Sequence, residues 1–177
     1  MKDQKDRKGM NNKGFSFVEL IIAIAILAIM AGVLAPQLIK YIDSSRKSTD
    51  VQNAQAIATA VNIALADEKA YNAAKTKAGE TSNYYKVKDL SSIASTDPNY
   101  PFAKEVVDIL GKDLPTPKYS SGTYKDFVII FKTSESNLSF YIYPCSESDS
   151  GTVVPDPETA TDNKLQLYPN VGDNYTK

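Results

Sequence analysis

No histidine occurs anywhere in the chain, and cysteine occurs once, at Cys145. The residue most used for general base catalysis and metal ligation is therefore missing, and neither a Cys/His cluster nor an internal disulfide can be built. A phosphate-binding glycine loop is lacking too, as are carboxylates spaced to share one helical face. Nothing presents a nucleophile with its base, so no enzyme, no cofactor and no metal site is expected. An excess of one charge is also absent: 20 basic and 21 acidic side chains nearly cancel. Beyond residue 14 the balance is 15 basic to 19 acidic, so nucleic acid is not an expected partner. The exterior domain must hold by packing alone, and Cys145, within Tyr143-Pro144-Cys145-Ser146, reads as a small structural residue.

What the chain does have is one long apolar run. From Phe15 to Ile39 the only charged residue is Glu19, whereas the chain after Lys40 is polar and rich in tyrosine. At ~1.5 Å per residue the stretch from Phe15 to Ala35 forms a helix of roughly 31 Å, enough for a bilayer core of about 30 Å. Lys2, Lys5, Arg7, Lys8 and Lys13 precede the run, against Lys40, Arg46 and Lys47 after it. That bias favours a cytoplasmic N-terminus and an exterior C-terminal domain. An ordinary secretory signal peptide fits less well, because a cut after Ala35 would place Pro36 next to the scissile bond. Glu19 is unexplained by a plain anchor. A carboxylate in a membrane helix costs about 2.5–3.5 kcal/mol on insertion scales, and no cation lies nearby in the sequence. Either it reaches the interface, or another subunit supplies its counter-charge.

The string Gly14-Phe15-Ser16-Phe17-Val18-Glu19, with basic residues before it and an apolar run after it, resembles the class III signal peptide of type IV pilins and pseudopilins. The resemblance covers about the first 40 residues. It implies a leader of residues 1–14 cut after Gly14 by a prepilin peptidase that also methylates the new N-terminus, Phe15. It implies that Glu19 pairs with the Phe15 amine of a neighbouring subunit. Phe17 stands where leucine is commoner and Ser16 where threonine is. Met10 offers a second start that leaves the same mature chain. The implied partners are copies of the chain itself in a helical polymer, the peptidase, an inner-membrane assembly platform with its ATPase, and membrane lipid before assembly. The expected product is a subunit, the major one for preference, of a surface fibre; a minor pilin, a pseudopilin of a secretion or competence system, or a plain anchored binding domain are the alternatives.

The implied fold is α+β: a long N-terminal helix packed on a small antiparallel sheet. Residues 15–39 are expected as its hydrophobic half, 40–78 as an amphipathic continuation and 79–177 as the head. Val51, Ala54, Ala58, Val61 and Leu65 alternate at steps of three and four, the signature of a core-facing helical stripe. One extended helix is expected from about Phe15 to about Lys77, ending before Gly79. Pro36, four residues after Gly32, should kink or unwind it. In pilins similar to this one the matching region melts on entry into the filament, so Gly32 and Pro36 are candidates for an extensible segment.

Short helices are expected over Lys86 to Ser95 and Pro101 to Leu110, and strands over Phe127 to Lys132 and Leu138 to Tyr143. Leu138, Phe140 and Ile142 should face the long helix, with Tyr141 and Tyr143 outward. A third strand is expected near Lys164 to Tyr168. Glu147, Asp149, Asp156, Glu158 and Asp162 read as a solvated acidic loop, without the spacing of a calcium loop. Lys69, Lys75, Lys77, Lys86 and Lys88, interleaved with Tyr84 and Tyr85, read as a solvated helix end.

Overall fold

The computed structural model describes residues 14–119, 123–134, 137–147, 153–154 and 165–176. Two compact units divide the chain, residues 1–41 and 42–177. The elements are α1 (Phe17–Ala64), α2 (Glu68–Ala78), β1 (Tyr84–Lys86), a 3₁₀ turn (Lys88–Ser92), α3 (Tyr100–Leu110), β2 (Asp126–Ser134), β3 (Asn137–Glu147), β4 (Val153–Val154) and α4 (Asp173–Thr176). The fold is α+β, with an antiparallel sheet in the order β1-β2-β3-β4. The long helix and the hairpin expected from the sequence are both present.

In the first unit α1 carries an uninterrupted apolar run, and every side chain from Gly14 to Ile42 is exposed. In the second unit the stripe turns inward. Ala54, Ile57, Ala58 and Val61 join Phe127, Ile129, Phe131, Phe140 and Ile142 in one core. Small side chains on the helix let its backbone lie close to the sheet, and the bulky ones come from the strands. The hairpin register sets Ile129 opposite Ile142 and Phe131 opposite Phe140, so alternate residues of both strands meet the helix. Burial of about 25 cal/mol per Å² of apolar surface is the main force here, since no disulfide assists.

Strand β2 is buried on both faces. Val128 and Ile130 point away from α1 and form a second cluster with Tyr143 and Cys145. Tyr143, expected to face outward, is therefore buried, and its hydroxyl bonds the Gln166 side chain at 3.1 Å. The reason is that the segment after β3 returns: Leu167 donates to the Ile142 carbonyl, and Ile142 donates to that of Tyr168. The strand expected over Lys164 to Tyr168 is only this isolated bridge at Tyr168; Lys164 lies outside the described residues.

The helix expected to run unbroken to about Lys77 is two helices. After Ala64 the chain turns, and Asp67 opens α2 as its N-cap, its carboxylate accepting from the Lys69 and Ala70 amides. An aspartate two or three residues from free amide donors competes well with continued helix, which explains the break. The reorientation lets Ala70, Ala73 and Ala74 bury in the same core as Phe102, Ala103 and Val106 of α3. Instead of a helix over Lys86 to Ser95 there is the edge strand β1 followed by the 3₁₀ turn. The cause is Tyr85, which stacks on Phe102 at 4.9 Å, meets Phe131 edge-on at 5.8 Å and donates to Asn99 at 2.8 Å. Helix α3 ends where expected, at Gly111, whose φ of 85° suits a residue without Cβ.

Two buried carboxylates tie loops to this core. Asp50 of α1 accepts from the amides of Lys118, at 2.6 Å, and Tyr119, at 3.0 Å. Removing it orphans two donors, so Asp50→Ala is expected to cost about 2 kcal/mol, read as a lower urea midpoint of the full chain in detergent. Asp126, at the start of β2, accepts from the Lys88 and Phe127 amides. Its burial pushes its carboxyl up to about 6, aided by the Asp89 charge and opposed by those amide bonds and the Lys88 charge. The folded state thus holds this proton more tightly than the unfolded chain. Its contribution is fully present below about pH 4 and is lost as pH rises towards 6, by about 2–3 kcal/mol. Asp126→Asn should remove that fall, seen as a growing stability advantage of the variant between pH 4 and 7.

Candidate functional site

The residues singled out at the N-terminus sit where the chain enters α1. Gly14, Phe15 and Ser16 are non-helical and exposed, with Phe15 93% accessible. Ser16 is the first residue whose carbonyl accepts a helical bond, from the Leu20 amide at 3.1 Å. Glu19 turns back, and its Oε2 accepts the Ser16 amide at 3.0 Å. This is the acidic half of a capping box, in which the third helical residue satisfies the donor at the cap position.

Glu19 therefore has a partner within its own chain, which the sequence reading did not assign. The signal was present in Ser16-x-x-Glu19 ahead of an apolar run. A carboxylate in the first turn is also favoured by the positive end of the helix dipole. One carboxylate oxygen is engaged by the amide, and the residue as a whole is exposed. A cation brought to it would meet an acceptor already oriented by its own helix.

Below the cap, Leu20, Ile24, Leu27 and Val33 are each more than half exposed. Helix α1 is long and apolar enough to cross a membrane, and none of its most apolar stretch is buried. Such a surface cannot persist in water, since each fully exposed aliphatic side chain forgoes about 1.5–3 kcal/mol of burial. Lipid or other helices must cover it.

Gly32 and Pro36 lie inside α1, which is helical through both. The expectation is a kink or an unwinding there, with melting on entry into a filament; in the lone subunit the segment is helical. The two are nonetheless physically paired, because Pro36 has no amide hydrogen to offer the carbonyl four residues earlier, which is that of Gly32. A Cβ at Gly32 would meet nothing within 4 Å, so close packing is not what requires glycine there. Neither residue lies near the Gly14-to-Glu19 segment along the helix.

The tyrosines interleaved with lysines do not form a stacking platform. Tyr85 is consumed by the aromatic core, and Tyr84 packs against the Val128 and Ile130 cluster. Lys77 pairs with Glu80 at 2.8 Å and lies over the Tyr85 ring. Among the described residues no group of three or more acidic or cysteine side chains gathers to hold a metal. Of the acidic stretch, Asp149, Asp156, Glu158 and Asp162 lie outside the described residues, as do residues 1–13 of the leader with Met10.

Residues 9–35 match the family described as "Prokaryotic N-terminal methylation motif". A curated relative from Clostridium perfringens (strain 13 / Type A), "Prepilin peptidase-dependent protein A", is 38% identical over 66 residues, which is 36% of this chain and 47% of the relative. The chain thus spans about half the length of the curated relative it matches. No solved structure matches the chain. Residues 9–35 thus carry a prokaryotic N-terminal methylation motif, and that motif and the apolar helix fit a membrane-anchored precursor.

The capping contact makes a measurable prediction. In the full chain held in detergent micelles, Glu19→Ala should speed hydrogen exchange at the Ser16 amide about fivefold, the equivalent of ~1 kcal/mol of cap. Glu19→Gln keeps an acceptor oxygen and should leave the rate within about twofold.

Proposed function

We propose that the chain is a structural subunit, the major one, of a type IV pilus. Its leader is cut after Gly14 by a prepilin peptidase, Phe15 becomes the methylated N-terminus, and the subunits polymerise through α1. The observation that carries this reading is the conjunction at the entry to α1. A glycine and an exposed, non-helical Phe15 precede a capped helix whose whole apolar surface is uncovered. The methylation motif over residues 9–35 and the Clostridium relative's name as a prepilin peptidase-dependent protein support it.

The chemistry is assembly. Hydrolysis after Gly14 frees an amine at Phe15, and the exposed carboxylate of Glu19 on another copy is the acceptor that amine would reach. In a low-dielectric setting such a pair fixes the register and direction of one helix against the next, whatever its net stabilisation. The inner-membrane platform and its ATPase supply the work of extracting each helix from lipid. The subunit starts with its N-terminus inside and its head outside, and ends in an extracellular fibre. Gly32 and Pro36, helical in the free subunit, are proposed as the segment that unwinds in the fibre, because the helix already lacks one hydrogen bond there.

Expression with and without a prepilin peptidase is the test. Mass spectrometry should show loss of residues 1–14 and one added methyl group on Phe15 only when the enzyme is present, and an unshifted mass refutes the reading. Sheared surface fibres in which this chain is the bulk protein identify it as the major subunit; a trace presence identifies a minor pilin or pseudopilin.

A further inference from the structure

Three segments far apart in the sequence meet around a carboxyl that the assembly chemistry does not use. Asp50 of α1 is fully buried, and its oxygens hold the amides of Lys118 and Tyr119. The Tyr119 ring has two further neighbours. The ammonium of Lys47, on α1 shortly before Asp50, sits 4.9 Å from its centroid, and Tyr175 of α4 meets it edge-on at 5.6 Å. Tyr175 is only 7% exposed, and its hydroxyl is buried without a hydrogen-bond partner among the described residues.

The chain that brings Tyr175 there is fixed unequally along its length. Up to Gly172 it is tied by hydrogen bonds: Leu167 donates to the Ile142 carbonyl at 2.9 Å, the Tyr143 hydroxyl donates to the Gln166 side chain at 3.1 Å, and Gly172 donates to the Gln166 carbonyl at 2.7 Å. Beyond Gly172 the ties change in kind. The Tyr175 amide and the Thr176 hydroxyl bond locally, to the Gly172 and Asp173 carbonyls, and the Tyr175 ring supplies the buried contact. A short helix seated by one ring, with an unsatisfied hydroxyl on it, detaches more readily than backbone tied to a strand.

Closure also acts on charge. Burial is the largest influence on the Asp50 carboxyl and raises it above the ordinary carboxylate value; the Lys118 and Tyr119 amides and the Lys118 charge oppose it without cancelling it. Burial likewise pushes the Tyr175 hydroxyl up, with Asp50, Tyr124 and Tyr119 adding to the effect. The titratable groups gathered here are thus Asp50 and Lys47 on α1, Lys118 and Tyr119 on the loop, Tyr124 ahead of β2 and Tyr175 on α4. Opening would return Asp50 to water and to its ordinary value, so the closed state holds the proton more tightly than the open one. Closure is therefore favoured most below about pH 4 and weakens as pH rises through the raised value.

We propose that α4 is a latch, hinged at Gly172, whose Tyr175 ring closes beside Asp50 in acid and lifts as that carboxyl takes on charge. Lifting uncovers the Tyr119 ring and admits water to the two amides that Asp50 holds, so the 118–119 loop loosens with it. A buried carboxylate is costly to charge, and the latch is the lightest of the segments around it to move. The device lies wholly within the second unit and depends neither on cleavage after Gly14 nor on a polymer.

The test uses the full chain in detergent micelles with para-fluorophenylalanine placed at position 175, which keeps the ring and lacks the hydroxyl. Fluorine relaxation by a neutral, soluble gadolinium chelate reads how often the ring meets water. Between about pH 4 and 7 that relaxation should rise at least about threefold, while the same label at the fully buried Phe102 stays unchanged. Asp50→Asn, which cannot take on charge, should abolish the rise. Asp126→Asn, which neutralises the other buried carboxyl, should keep it, and this variant decides the matter if Asp50→Asn fails to fold. A ring equally shielded at both pH values, a rise that survives Asp50→Asn or disappears in Asp126→Asn, or an equal rise at Phe102 overturns the latch.

Discussion

The close fit of a small-residue helix stripe against β2 and β3 is the contact on which the head depends. Alanines at 54, 58 and 64 bring α1 near the sheet, and Phe127, Ile129 and Phe131 fill the space between. Overpacking that seam would force the helix away by the width of a methyl group or more, and the loss would spread to α2 and α3, which share the same core. Asp50, one turn before the stripe, converts the contact into a lock by binding the two amides of the Lys118-Tyr119 segment.

Anchoring the helix by one face frees the rest of it for other tasks. Its first turn presents an oriented carboxylate, and its apolar run presents a surface that water does not tolerate. Glu19 shows how economical this is. In the free subunit the carboxylate closes the helix end through Ser16, which lowers the cost of carrying it in an apolar segment. The proposed intermolecular pair needs only the second oxygen of the same carboxylate, so it and the intramolecular contact are compatible rather than competing.

Much of this was legible in the residue order. The step-three and step-four stripe from Val51 to Leu65 marked the core face, and the alternation in Leu138, Phe140 and Ile142 marked the strand face that meets it. Gly111 marked the end of α3. What could not be read was decided by tertiary contacts or by short-range polar competition. Asp67 broke a pattern that alanine content alone would have continued. Tyr84 and Tyr85 sit among lysines and give no strand signal, yet Tyr85 is drawn into an aromatic cluster with residues 17 and 46 positions away. Tyr143 was expected in solvent because its cover comes from the chain returning at Gln166 and Leu167, far beyond any periodic window. At the candidate site the residue types were readable, while the Ser16 contact of Glu19 was passed over for the intersubunit pair that the resemblance implied.

Cys145 lies fully buried in the second cluster, outside any disulfide. The head consequently owes none of its cohesion to the oxidation state of its surroundings. Oxidants have no second thiol in the chain to couple with it, and reductants have no bond to cleave. Folding of this head therefore calls for no oxidoreductase to form or reshuffle a bond within it.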